Sequence, residues 1–490
     1  MKSMMRIISS ILMSFMILSV PALAQETLSA QQMYELGLEK ENLGDYSQAV
    51  LLYTDAAELN NSEAMHRLAV LYCNGNGVKQ NFYIAKEWYE KAAELGNANS
   101  SRNLGILYYY GDGVKQSYEK AKAYFEKAAI LGDVESMDNL GTMYLDGIEI
   151  KTDYSAAKKW FEKAAALDSA YAMFKLGGMH YYGIGMTQSY ENGRKWFEKA
   201  ASLGSNEAML FMGGLYYFGE GVKQDFEKAI LWFEKAAVAG SKEAMHLLGQ
   251  IYFYGDGVEK DNIQAAKWYA LAADEGYVSS INQLGILYEC GYGVKKDYEK
   301  ARVLYEQAAN LDDGAAFYNL GMLYIKGLGV DHDSVKAENL FLSAAELGEA
   351  AAMNMLGVLY SGGYGGWLDE EQVLLVENFE TSTAQLDSKR VVYDDVKKDY
   401  KAAKKWFEKA AELGYSPAMN NIAMMYVYGM DVEEDYSQAA KWYQKAADLE
   451  NPVAMYSLGI MYENGYGVKK NSSKAKELYG KAAQLGYTGL

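Results

Sequence analysis

A tyrosine returns every 36 residues along this chain: Tyr72, Tyr108, Tyr144, Tyr216, Tyr252, Tyr288, Tyr324 and Tyr360, with His180 standing in once. After a break it resumes at Tyr426 and Tyr462. A glycine follows three residues later in all eleven copies, from Gly75 to Gly465. The copies begin at residues 61, 97, 133, 169, 205, 241, 277, 313, 349, 415 and 451, and each is 36 residues long except the one from 349, which spans 66 and so carries 30 more. A register held this long constrains the fold before any single residue does: the chain is an array of one repeated unit.

The unit is read from Ser205–Gly240. Ala208, Met209, Met212, Gly213 and Tyr216 fall on one face of a helix, and Ala229, Phe233, Ala236 and Ala237 on one face of a second. Gly219 and Gly221 break the first helix, and Asp225 is placed to cap the second. Two such helices cannot bury their own apolar faces, so each pair must lean on the next. The ninth residue of the unit is glycine, or alanine at Ala69 and Ala423, which lets helices approach closely. The aromatic of the second helix (Tyr89, Phe125, Phe161, Phe197, Phe233 and onward) fills the core, and the tryptophan before it, as at Trp88 and Trp160, packs between units. Before every second helix stands a capping residue: Asn81, Ser117, Asp153, Ser189, Asp225, Asp261, Asp297, Asp333, Asp399, Asp435 and Asn471. Each such cap is worth about 1 kcal/mol. Pro417 and Pro452 sit in the first turn of a helix, where a missing N–H costs nothing. The expected fold class is all-α, a solenoid of antiparallel helix pairs.

The pattern AMxxLGxxYxxGxGVxxDYxKAxxWFEKAAExG, running from Asn61 to Gly486, resembles the Sel1-like repeat, a relative of the tetratricopeptide repeat with a longer glycine-bearing loop. The resemblance implies a right-handed superhelix whose first helices line a concave surface, acting as an adaptor or scaffold. It implies no shared enzymatic activity. Residues 25–60 keep the two-helix pattern without the long loop, resemble an ordinary tetratricopeptide repeat and are expected to cap the N-terminal end.

Residues 1–24 read as a cleavable signal peptide, with Lys2 and Arg6 ahead of the apolar run Ile7 to Val20 and a small-residue site ending at Ala24. The mature protein is then expected to begin near Gln25 and to be periplasmic or secreted, with no stable membrane insertion. Past the last repeat only 487–490 remain. No polar capping helix follows, so that end either tolerates water, as Lys474, Lys476, Glu477 and Lys481 suggest, or pairs with something, self-association included. The insertion, at about 366–396, holds two β-prone runs, Val373–Val376 and Arg390–Tyr393. It is either a projecting hairpin or a loop, and either a tolerated insertion or a partner-contacting arm.

Composition and motifs narrow the function by exclusion. A formal charge of −18 argues against nucleic acid and against an anionic membrane. Cys73 and Cys290 lie six repeats apart and are expected to be free or buried thiols. His66, His180, His246 and His332 are dispersed, without a second ligand at metal spacing, and no cofactor is expected. The SxxK pairs at Ser117, Ser155 and Ser473 lack the partner motifs of an acylating serine and fall where a helix cap or first turn already explains them.

Binding is expected on the first helices, at positions six, seven, ten, thirteen and fourteen, which the core does not dictate. The candidates are Asn103, Tyr109, Asn139, Tyr181, Phe211, Tyr217, Phe253, Asn282, Asn319, Asn354 and Asn420. Asparagine amides can both donate to and accept from a peptide backbone, and tyrosines offer broad amphipathic contact. The competing reading is that the asparagines bond to neighbouring helices and the aromatics fill gaps. The leading expectation is an exported, non-enzymatic scaffold for a protein or peptide. Alternatives are an envelope protein binding peptidoglycan or another glycan, and a hydrolase of wall-derived ligands.

Overall fold

The computed structural model describes residues 28–147, 151–362 and 396–487. The signal segment, the two β-prone runs of the insertion and the last three residues lie outside them. Among the described residues there are 24 helices and no strand, arranged as consecutive pairs. Each repeat contributes a first helix such as Val278–Cys290 and a second such as Tyr298–Ala309, and each helix packs mainly on those next to it in sequence. The chain is a solenoid of helical repeats. It divides into two compact units, Met1–Met212 with Glu220–Val222, and Gly213–Gly219 with Lys223–Leu490.

Local chemistry sets each boundary. First helices end on a left-handed glycine, such as Gly75, Gly111 or Gly291, because only a residue without Cβ takes that conformation freely; Ala350–Tyr360, which ends on Ser361, is an exception. The loop then closes on the backbone: the capping residue's N–H donates to the carbonyl at the repeating tyrosine, as Asn81 to Tyr72 at 2.8 Å and Asp297 to Tyr288 at 2.9 Å. Only that carbonyl is needed, so His180 serves as well, accepting from Ser189 at 2.8 Å. The closure also survives the insertion, with Asp399 donating to Tyr360 at 2.8 Å. All eleven expected caps accept a backbone N–H of the helix they start, Ser117 from Lys120 at 3.3 Å among them, so the serine of that SxxK pair is engaged as a helix cap.

Second helices stop in a turn whose two backbone bonds satisfy orphan carbonyls. After Phe82–Glu94, Gly96 donates to Ala93 and Asn97 to Ala92. Inside each repeat the ninth-position glycine seats the second helix's ring. A Cβ at Gly285 would stand 2.6 Å from the Tyr305 ring, and one at Gly141 2.5 Å from that of Phe161. In the first unit Tyr53, Phe161 and Phe197 are fully buried this way, and in the second Tyr269, Tyr305, Phe341 and Phe407. Trp88 packs against the cores of two successive repeats while a lysine covers its outer face, Lys91 at 4.2 Å. The same cover recurs at Lys163 over Trp160 and Lys445 over Trp442.

Cys73 and Cys290 are free and half-buried, with burial pushing both thiols above their ordinary range. At the C-terminal end Tyr487 is buried against Tyr456, ring centroids 5.3 Å apart.

Candidate interaction surface

The sixth residue of the repeat sits at the joint with the following repeat, and in most repeats, though not at Phe174 or Leu210, the chain writes a titratable or amide side chain there. His66 Nδ1 lies 3.0 Å from Ser100 Oγ and His246 Nδ1 2.8 Å from Ser280 Oγ. Asp138 accepts from Ser169 Oγ at 2.8 and 3.0 Å. Farther along, the same joint is made by asparagines. Asn319 donates to Asn282 at 2.9 Å, and Asn421 donates to Asn354 at 2.9 Å. Asn282, Asn354 and Asn420 are buried, and Asn420 directs its amide at the Met424 sulfur, 3.8 Å away, while its Oδ1 has no partner. Asn103 donates to the Tyr89 hydroxyl of the preceding repeat at 3.0 Å, and Asn139 is half-buried. The asparagine candidates therefore hold the repeats together where they are paired, so their joint replacement would loosen the fold along with any groove.

The aromatic candidates behave differently. Tyr181 and Phe211, thirty residues apart in sequence, are brought together with ring centroids 5.5 Å apart. Tyr181 is buried and donates its hydroxyl to Glu220 at 3.2 Å. Tyr217 repeats the arrangement one unit on, donating to Asp256 at 2.6 Å, and burial together with that bond pushes its hydroxyl up to about 12. Tyr109 packs edge-on against Tyr110 and Tyr118, and Phe253 against Tyr254. Each of these half-buried or buried rings thus serves as the base for the residue after it. Tyr110, Tyr182, Phe218 and Tyr254 stand 67%, 59%, 69% and 62% exposed at the ends of their helices. The residue between the loop glycines varies from unit to unit (Asn76, Asp112, Ile184, Glu220, Asp256), so no repeat signal in the sequence marks the carboxylates at 220 and 256, each held by a tyrosine 39 residues earlier.

Among the described residues no group of histidines, cysteines and carboxylates is placed to hold a metal, and no helix is long and apolar enough to cross a membrane.

Comparisons with known proteins agree with the geometry. The model of the Sel1 repeat matches thirteen segments, beginning at 22–61 and continuing through 62–97, 98–133, 134–169, 170–205, 206–241, 242–277, 278–313, 315–349, 350–369, 393–415, 416–451 and 452–487. No curated protein matches the chain in sequence. Among solved structures it is similar to c5321, a protective antigen present in uropathogenic Escherichia coli strains and displaying an SLR fold. The two share 29% identity over 89% of this chain and 86% of that one, with a TM-score of 0.61. A Sel1 repeat protein from Oxalobacter formigenes is 31% identical over 49% of this chain and 99% of its own, with a TM-score of 0.45. With matched segments covering most of its length, the chain belongs to the Sel1 repeat family.

Proposed function

We propose that this chain is a non-enzymatic interaction scaffold, exported to the periplasm or beyond the cell, that takes a protein or peptide partner along the face of its first helices. Family membership supports a protein-interaction role. The observation that carries the reading is the set of aromatic residues Tyr110, Tyr182, Phe218 and Tyr254, more than half exposed although each rests edge-on against a packed ring. Exposed aromatics that contribute little to the core, placed on rigid helix ends, suit contact with a partner at small entropic cost. Export rests on the basic and apolar pattern of residues 1–24.

The test replaces Tyr254 by the photocrosslinking residue p-benzoylphenylalanine, with Val238, an 88% exposed second-helix residue, as the control site. Irradiation of intact cells is expected to give discrete protein adducts from position 254 and none from 238. Adducts from both sites alike, or from neither, overturn the reading. Sedimentation with insoluble peptidoglycan that depends on Tyr254 would favour the glycan alternative instead. N-terminal sequencing of the protein from fractionated cells is expected to begin at Gln25, and a chain retaining residues 1–24 contradicts export.

A further inference from the structure

We propose that the corner formed by Tyr181, Tyr182, Phe211 and the Glu220 carboxylate receives a lysine or arginine side chain from an extended partner segment. The inference rests on the scaffold reading and names the chemistry of the partner. The three rings meet pairwise close to perpendicular: Tyr181 on Tyr182 at 5.0 Å and 83°, Tyr181 on Phe211 at 5.5 Å and 89°, Tyr182 on Phe211 at 6.4 Å and 77°. Tyr181 is buried and Phe211 half-buried, so they fix the corner, and its open aromatic surface is that of Tyr182, 59% exposed, whose ring faces carry the negative end of the aromatic quadrupole. The Tyr181 hydroxyl holds the exposed Glu220 carboxylate at the same corner. An exposed ring face beside a carboxylate attracts a cation.

The chain answers such faces with its own lysines elsewhere, over Trp160, Trp196 and Tyr216 among others. Among the described residues no lysine lies over any of these three rings, and no lysine or arginine pairs with Glu220. The corner thus presents an exposed ring and a carboxylate without a lysine of the chain over them. Gly178 adds room for a partner's backbone. It lies one turn before Tyr182 on the same helix face, and a Cβ there would meet nothing within 4 Å. Packing does not demand this glycine, and glycine is a poor helix former. Its effect is to leave the helix surface bare beside the rings. A chain of net charge −18 complements a basic segment as a whole.

The test measures fluorescence anisotropy of the full-length protein with labelled ten-residue peptides alternating serine with lysine, glutamine or glutamate. Saturable binding is expected for the lysine peptide alone. The pair Glu220→Gln with Tyr182→Ala is expected to weaken it at least tenfold, and Gly178→Leu likewise. Because leucine favours the helix, a thermal melt for Gly178→Leu at or above that of the wild type shows that lost binding is not lost folding. Lysine-peptide binding that is absent, or unchanged in these variants, overturns the proposal, the latter case meaning diffuse charge attraction. Crosslinking from position 254 in the same variants separates the two readings. Adducts that persist when the peptide result fails leave the scaffold standing without a basic partner, and absent adducts beside a positive peptide result remove the wider scaffold reading only.

Discussion

Asp138 is turned into a joint between repeats, where both of its oxygens face the Ser169 hydroxyl. Burial lifts its carboxyl to about 6. The Ser169 bond works against this lift, and Glu135 and Asp133 add to it. The folded pKa lies above the unfolded one, so the folded state is penalised above pH 6 and gains stability as pH falls toward the ordinary carboxylate range. Asp138→Asn keeps an acceptor for Ser169 and removes the charge. It is expected to raise the urea midpoint at pH 7.5, with the gain vanishing near pH 4, as read from denaturation curves at both values. An equal gain at both pH values would place the effect in packing. His66, at the equivalent position two repeats earlier, has the opposite sign: burial first, then Arg67 and Arg102, hold it down to about 4. Its contribution is present above about 6.5 and lost as pH falls through 4. Neither joint was legible in the sequence. Position six varies from repeat to repeat, and what a side chain there meets depends on the next repeat, 31 to 37 residues away, or 67 where the insertion intervenes between Asn354 and Asn421.

At the scale of the element, the loop between the two helices holds more than a turn. Its first glycine ends the first helix, as the letters suggest. Its second glycine does two things, adopting a positive φ and pressing against the start of the preceding repeat's second helix. Gly293 has φ +68°, and a Cβ there would fall on the Asn262 carbonyl. Gly276, between repeats, has a comparable φ of +75° with open space around it. Gly293→Ala is therefore expected to cost about 2–4 kcal/mol, from left-handed strain plus overlap with backbone that cannot yield. Gly276→Ala is expected to cost about 1 kcal/mol from strain alone. The two urea midpoints, compared on one protein preparation, check the difference, and equal losses would mean that the loop contact between repeats contributes nothing. Helix caps, glycine ends and core rings could all be read in sequence because each depends on residues within one repeat. The contact at the second glycine could not, because its partner lies in the repeat before.

For the whole molecule, helices pack mainly on their neighbours in sequence, so stability is a sum of repeat and nearest-neighbour terms. Removing one register-matched repeat, residues 278–313, joins surfaces of the same kind and is expected to leave a cooperative, helical, monodisperse protein, checked by circular dichroism and size-exclusion chromatography. Loss of helicity beyond the two deleted helices would show that distant repeats support one another. What the amino-acid order determined by itself is the all-helical array, its repeat boundaries, its caps and its buried rings, since a 36-residue period writes the same short-range physics eleven times. What tertiary structure alone decided is which variable residues are used up between repeats and which are left to solvent. Asn282 and Asn354 became joints, while Tyr182 and Tyr254 stayed exposed to solvent. Repeat spacing says which positions are free of the core. Only the packing of one repeat on the next says whether a free position meets a neighbour or water.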